Sequence, residues 1–348
     1  MHRKLSLLLL AASTALLLLS GAQAASGKKW THPKTPWGDP DLQGMWPLNH
    51  INSVPLQRPE KYGERLQLTQ EEIAAAAAAV KARNELYKNE DQANRIGLGH
   101  WIESADLPTQ TSLLVDPPNG RLPTRTQAGD QMAKNLGSSW NREYWDKAED
   151  FDSWDRCITR GLPASMFPYP YNNGIEIIQA PGYVVINLEM IHEARIVPVT
   201  PMPKLDGAIQ QWMGDSRGHW EGNTLVVETA NFNGKTAQTP STSFDGIRPV
   251  SAQLRMVERF ERVSDDTINY SVTVTDPVTL TRSWTAAFPW KRDNSYQAFE
   301  YACNEDNSAV RGFITNSRVY RAQKAAGLNP KVQTPQENLE ERRTGVKK

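Results

Sequence analysis

Three residues carry most of the chemistry this sequence offers. The stretch Tyr183 to Pro198 alternates apolar and polar side chains, and counting in twos places Val184, Ile186, Leu188, Met190, His192, Ala194 and Ile196 together. Read as one half-buried strand, that period points His192 inward among aliphatic neighbours. The same count places Glu258 on a face with Leu254, Met256 and Phe260, and Arg282 on a face with Leu280, Trp284 and Ala286. A lone charge on an apolar face is costly, so these two should pair with each other, reach solvent in a cavity, or lie at a rim. Two readings use the same residues. In the first, Glu258 and Arg282 form a buried ion pair and His192 is a satisfied core histidine. In the second, His192 is a general acid or base, Glu258 orients it or supplies the complementary acid, and Arg282 stabilises a developing anion. Trp212, Tyr270, Trp284 and Tyr301 would then line the pocket, because aromatic walls with few convergent polar groups suit a small molecule.

Other chemistries are less well supported. In Gly214-Asp-Ser-Arg-Gly-His-Trp-Glu-Gly222, the side chains of Arg217, His219 and Glu221 alternate on one side of a short strand, which reads as a solvated charged face beside a turn. Apart from His2 the histidines are His32, His50, His100, His192 and His219, with no H-E-x-x-H or C-x-x-C pattern, so no metal site is expected. A dinucleotide fingerprint, a P-loop and a G-x-S-x-G elbow are all missing, and no cofactor is expected.

The elements that must position these residues follow a signal-like start. Met1-His-Arg-Lys, the apolar run Leu5 to Leu19 and Ser20-Gly-Ala-Gln-Ala24 have the three parts of a secretory signal, with cleavage expected after Ala24. This implies a periplasmic or secreted protein without stable membrane insertion. The chain balances 39 Lys and Arg against 39 Asp and Glu, and loss of Arg3 and Lys4 leaves it slightly acidic. Nothing in that balance favours nucleic acid as a partner. Cys157 and Cys303 are the only cysteines, and in an oxidising compartment such a pair is expected to form one disulfide.

Leu68-Thr-Gln-Glu-Glu72 is a capping box with Thr69 as N-cap, opening an alanine-rich helix that runs to about Lys88 on the outside of the fold. A second helical stretch is expected over 127–147, interrupted at Gly137-Ser-Ser. Asp152 to Gly174 sets prolines and glycines among bulky aromatics, including Tyr171, and pinned by Cys157 it reads as the rim loop of a site. Strands are expected at 175–179, 183–198, 210–213, 219–221, 224–229, 254–263, 267–275 and 280–288, with a closing strand at 298–303. The charged tail from Gly327 reads as disordered.

Gly44-x-Trp46, entering the first strand, resembles the calycin (lipocalin-like) barrels. The motifs Asp155-Arg-Cys157, Glu189-Met-Ile-His-Glu-Ala-Arg195, Gly214-Asp-Ser-Arg-Gly218 with Trp220-Glu-Gly222, and Glu300-Tyr-Ala-Cys303 look like those of a family of secreted bacterial proteins. That resemblance implies secretion and the cysteine link, and brings no mechanism. The expected architecture is mainly β, an antiparallel up-and-down, calycin-like barrel with N-terminal helical decoration, one domain over 25–326. The expected function is a cofactor-free lyase, isomerase or hydrolase acting on a hydrophobic or aromatic small molecule. The alternative is a non-catalytic, lipocalin-like carrier.

Overall fold

The computed structural model describes residues 30–92, 102–139, 142–238, 248–305 and 307–328. The expected signal segment, and all of the expected tail beyond residue 328, lie outside the described residues. The described residues from His32 onward form one compact unit.

An N-terminal arm leads into β1 (Gly44–Met45). Helix α1 (Gln70–Gln92) opens on the expected reciprocal cap: the Thr69 amide donates to Glu72 Oε2 at 2.8 Å and the Glu72 amide to Thr69 Oγ1 at 3.2 Å. None of its described residues is buried, as an alanine face with little to cover requires. After β2 (Leu114–Asp116) comes α2 (Gln127–Asn135), capped by the Thr126 hydroxyl, which accepts from the Gly129 amide. It stops before Gly137-Ser-Ser, shorter than the 127–147 expected.

The strands that follow are β3 (Ile175–Ala180), β4 (Tyr183–Leu188), β5 (Glu193–Pro198), β6 (Asp215–Glu221) and β7 (Thr224–Ala230). The short β8 (Ala237–Gln238) and β9 (Arg248–Pro249) precede β10 (Arg255–Arg262), β11 (Thr267–Thr275) and β12 (Trp284–Lys291), and the last described helix is α3 (Ser308–Ala325). The fold is mixed, with two main antiparallel sheets ordered β1-β3-β4-β5 and β2-β12-β11-β10-β7-β6, and β8 paired with β9. Strict alternation in β10 and β11 buries Met256, Glu258, Phe260 and Arg262 on one strand and Ile268, Tyr270, Val272 and Val274 on the next. Phe260, Tyr270, Phe288 and Trp290 pack with ring centroids 4.8–5.5 Å apart at the centre of the core.

Two stretches depart from the expected pattern. The stretch Tyr183–Pro198 is a hairpin rather than one strand. It pairs Leu188 with Glu193 and Tyr183 with Pro198 around a tight turn, where Ile191 (φ 61°) and His192 (φ 41°) both adopt the left-handed conformation. Because even positions of β4 face odd positions of β5, the inward set changes parity: Arg195 and Val197 are buried, whereas Ala194 and Ile196 are exposed. His192 therefore lies on the surface. Residues 298–303 form no strand, and the edge position beside β12 is taken by β2. The chain beyond them forms α3, whose Phe313 packs edge-on to Trp145 at 4.8 Å.

Candidate functional site

The inward charge on β10 finds its partner on β5. Arg195 donates to Glu258 from Nη1 at 3.0 Å and from Nη2 at 2.5 Å, and the Tyr270 hydroxyl donates to Glu258 Oε1 at 2.9 Å. Glu258 is fully buried and Arg195 is 4% exposed, so the bidentate pair is shielded from water. Ser216 and Thr229, themselves 2.9 Å apart, lie 3.4 Å from Arg195 Nη2. Burial pulls the Arg195 pKa down, but the charge and hydrogen bonds of Glu258 carry it above its ordinary value.

The three candidate catalytic residues are not brought together. Glu258 is in the core. Arg282 is exposed at the opposite edge of its sheet, paired with Asp116 at 2.7 Å rather than with Glu258. His192 sits on the β4–β5 turn with Nδ1 3.1 Å from the Tyr301 carbonyl oxygen. The aromatic residues divide likewise. Tyr270 serves the buried pair, and Trp284 packs in the core 6.2 Å from Phe167. Trp212 is half-buried, its carbonyl accepting from Thr236. Tyr171 and Tyr301 belong to a different cluster, around the rim loop. His219 and Glu221 are exposed, and Glu221 also accepts from Arg259 at 2.9 Å, which makes a solvated charged face.

The rim loop is tied down by a disulfide between Cys157 and Cys303, whose Cα atoms are 5.6 Å apart. That bond brings the loop against the segment that carries Tyr296, Phe299 and Tyr301. The Trp154 indole donates to the Tyr301 hydroxyl at 3.3 Å, and Tyr169 packs edge-on against both Trp154 and Tyr171. Burial raises the pKa values of Tyr169 and Tyr171, so both are neutral phenols near pH 7. Among them lies Arg160, 2% exposed. Its guanidinium stands 4.6 Å over the Tyr169 ring and 5.4 Å over that of Trp154.

Beside Arg160, in the same narrow crevice, is Glu189, the residue that begins the β4–β5 turn. Its carboxylate accepts from Asn172 Nδ2 at 3.0 Å and from the amides of Gly174 and Phe299, each at 2.9 Å. Gly174 is required by that approach, since a β-carbon there would come within 2.6 Å of Glu189 Oε2. The Tyr296 hydroxyl reaches Glu189 Oε2 at 2.7 Å and also Glu103 Oε1 at 2.8 Å. Glu103 accepts in turn from the amide and side chain of Asn173. One phenolic hydrogen cannot satisfy two ionised carboxylates at once, so the arrangement suits a carboxyl that holds a proton. Burial, reinforced by the Glu189 charge, raises the Glu103 pKa against the opposing hydrogen bonds from Asn173 and Tyr296. Burial likewise raises Tyr296. Across the turn, Thr159 donates to Glu193 at 2.6 Å, and burial raises the Glu193 pKa too.

Sequence reasoning missed Arg160, Glu103, Glu189 and Tyr296. Glu103 and Tyr296 are 193 residues apart, and no local periodicity connects them. The usable signal was the rim loop itself, where Arg160 and the Tyr169-Pro-Tyr-Asn-Asn-Gly174 run sit among aromatics. Among the described residues, no three His, Cys, Asp or Glu side chains converge in a way that would hold a metal ion. No helix among them is long and apolar enough to cross a membrane. Compared with protein-family models, curated proteins and solved structures, the chain matches none.

Proposed function

We propose that this protein is a periplasmic or secreted, cofactor-free acid/base enzyme acting on a hydrophobic or aromatic small molecule. On this reading it is a lyase, isomerase or hydrolase whose site is the crevice between the rim loop and the β4–β5 turn. The observation that carries the reading is the Tyr296 hydroxyl, which lies 2.7 and 2.8 Å from two carboxylates of which one, Glu103, has a raised pKa. Such an array can hold a proton and pass it to a bound molecule through Glu189, which forms part of the crevice wall. His192, on the turn, and Tyr301, on the segment that Cys303 ties down, meet at 3.1 Å and are read as gating the crevice, and Tyr171 as part of its aromatic surround.

We read the two sheets as a single up-and-down, calycin-like barrel. Supporting this, a β-carbon on Gly218 of β6 would touch Val197 of β5 at 3.0 Å, and just past β12 the Asp293 amide donates to the β1 carbonyl of Met45 at 3.0 Å. The buried core includes Trp46, Phe260, Tyr270 and Trp290, and on this reading the site lies at an end of the barrel. A carrier in the lipocalin manner is the second reading, favoured by the aromatic cage of Tyr169 and Trp154.

The test incubates the mature wild-type protein, Tyr296→Phe and Glu103→Gln with a panel of small aromatic esters, hydroxy acids and keto acids, and follows conversion by mass spectrometry. The enzyme reading expects a wild-type conversion that falls at least about a hundredfold in both variants, the scale of a lost proton-transfer group. Conversion that survives both substitutions refutes the proton-sharing site. Binding without conversion favours the carrier.

A further inference from the structure

The buried arginines of this protein differ in how their donors are satisfied. Arg195 has the Glu258 carboxylate. Arg262 places Nε, Nη1 and Nη2 on the carbonyl oxygens of Ser264, Asp41 and Asp265 at 2.8–3.1 Å. Arg58 spends Nη1 and Nη2 on the carbonyls of Pro118, Gly63 and Leu114 and, like Arg195, leaves only Nε without a partner. Arg160 stands apart: Nη1 donates to the Phe167 carbonyl at 3.3 Å, while Nε and Nη2 have no protein partner. The groups that act electrostatically on it are Tyr169, Tyr171 and Tyr301, none of them a carboxylate. Burial lowers its pKa to about 10, so it remains a cation at neutral pH, held in a cage of neutral rings.

The two free donors are geometrically specific. Nε–H and the outer N–H of Nη2 lie parallel on one edge of the guanidinium plane, spaced to meet both oxygens of one carboxylate. The rest of the crevice wall sets Leu48, Phe167, Leu188 and Met190 beside the polar Ser165 and Asn173. A buried cation with a free bidentate edge, beside the apolar side chains of a wall of mixed character, suits a solute with one anionic head and a small hydrophobic body.

From this we infer that Arg160 is a carboxylate-recognition residue and that the molecule taken by this crevice is a small hydrophobic monocarboxylic acid. The inference rests on the reading of the crevice as the functional site and names its ligand class. Glu189 shares the wall, and its repulsion of such a ligand is reduced by the bonds it accepts from Asn172, Gly174, Tyr296 and Phe299. A carboxylate anchored on Arg160 would share the crevice with Glu189, the residue through which the proposed proton transfer runs.

The experiment titrates the mature, disulfide-bonded protein with acetate, isobutyrate and phenylacetate, and with isobutyramide and phenylacetamide as uncharged controls. It follows the arginine ¹H–¹⁵Nε signals by NMR and the melting temperature. The expected result is saturable, one-site binding of at least one acid, with a shift of a single buried Nε signal and an affinity at least tenfold above that of its amide. Arg160→Met should abolish that binding and the shifting signal, and Arg160→Lys should weaken it at least tenfold. If a variant fails to fold, the wild-type acid-against-amide comparison and its Nε signal decide. No saturable binding by any of the three acids, equal binding of acid and amide, or binding that is undiminished in a folded Arg160→Met protein overturns the inference. Tyr296→Phe separates the two proposals: carboxylate binding retained with conversion lost supports both. Conversion retained with binding intact sinks the proton-sharing site alone.

Discussion

Replacing Glu258 by glutamine preserves the shape of the side chain and removes the charge that compensates Arg195. In the native protein the pair makes two charge-assisted bonds, at 2.5 and 3.0 Å, and Tyr270 adds a third contact to the carboxylate at 2.9 Å. With Glu258 fully buried and Arg195 4% exposed, water cannot take over the lost interaction. The glutamine amide also offers a donor where Arg195 already presents donors. Breaking one half of such a buried pair costs about 3–5 kcal/mol. A domain of this kind has roughly 5–15 kcal/mol in total, so the urea midpoint should fall by about 1–2 M. Circular dichroism during urea unfolding, with the disulfide kept intact, measures the effect. The double variant Arg195→Met with Glu258→Leu removes both charges and should recover to within about 2 kcal/mol of the wild type, because the desolvation cost disappears with the attraction. A glutamine variant within 1 kcal/mol of the wild type, or a double variant less stable than either single one, would refute the assignment of Glu258 as a buried structural anion.

Two further outcomes follow from the rim loop. Burial and the neighbouring Asp155 charge raise Asp152 to about 7, although its Oδ1 accepts from the amides of Trp154 and Asp155. Because the folded-state value lies above the unfolded one, this group's contribution to stability is complete below about pH 4 and is lost as pH rises toward 7. Asp152→Asn should therefore gain on the wild type by up to about 4 kcal/mol between pH 4 and 7.5, read as the difference between their urea midpoints. Taking the difference cancels the same-sense slopes from Glu103 and Glu193 and the opposing one from His50, which burial lowers. A pH-independent difference contradicts the raised Asp152. At the turn, Gly174→Ala would drive a methyl to 2.6 Å from Glu189 Oε2 and 2.8 Å from Tyr296 Cε1. The expected loss is about 1–3 kcal/mol by calorimetry, and a variant that melts with the wild type shows that the loop does not hold this approach.

The regular parts of this molecule were readable in its residues because each follows from a local rule. Thr69 and Glu72 announce their own helix start, and two cysteines in the whole chain leave one possible pairing, which the structure contains. Alternation placed Glu258, Tyr270 and Trp284 inward correctly, since within an unbroken strand the side-chain period is two. The error at His192 came from the same rule applied across a turn that no residue advertised. Glu189-Met-Ile-His192 contains no glycine, asparagine or proline, and it closes with a β-branched isoleucine in the left-handed region, where such residues rarely go. That turn reversed the parity of β5 and carried Arg195 rather than His192 inward, whereas Arg282 lies ahead of the first residue of β12, outside the alternation, and pairs with a surface aspartate. The candidate site was beyond local rules for a related reason. Arg160, Glu189, Glu103 and Tyr296 come from four separate stretches. Their chemistry depends on burial and, for Tyr296 with Glu103 and Glu189, on distances below 3 Å, quantities that exist only once the disulfide, the hairpin and the rim loop have packed together. Local propensity determined the elements, and the packing of distant segments decided which polar groups lost their water and therefore which could do chemistry.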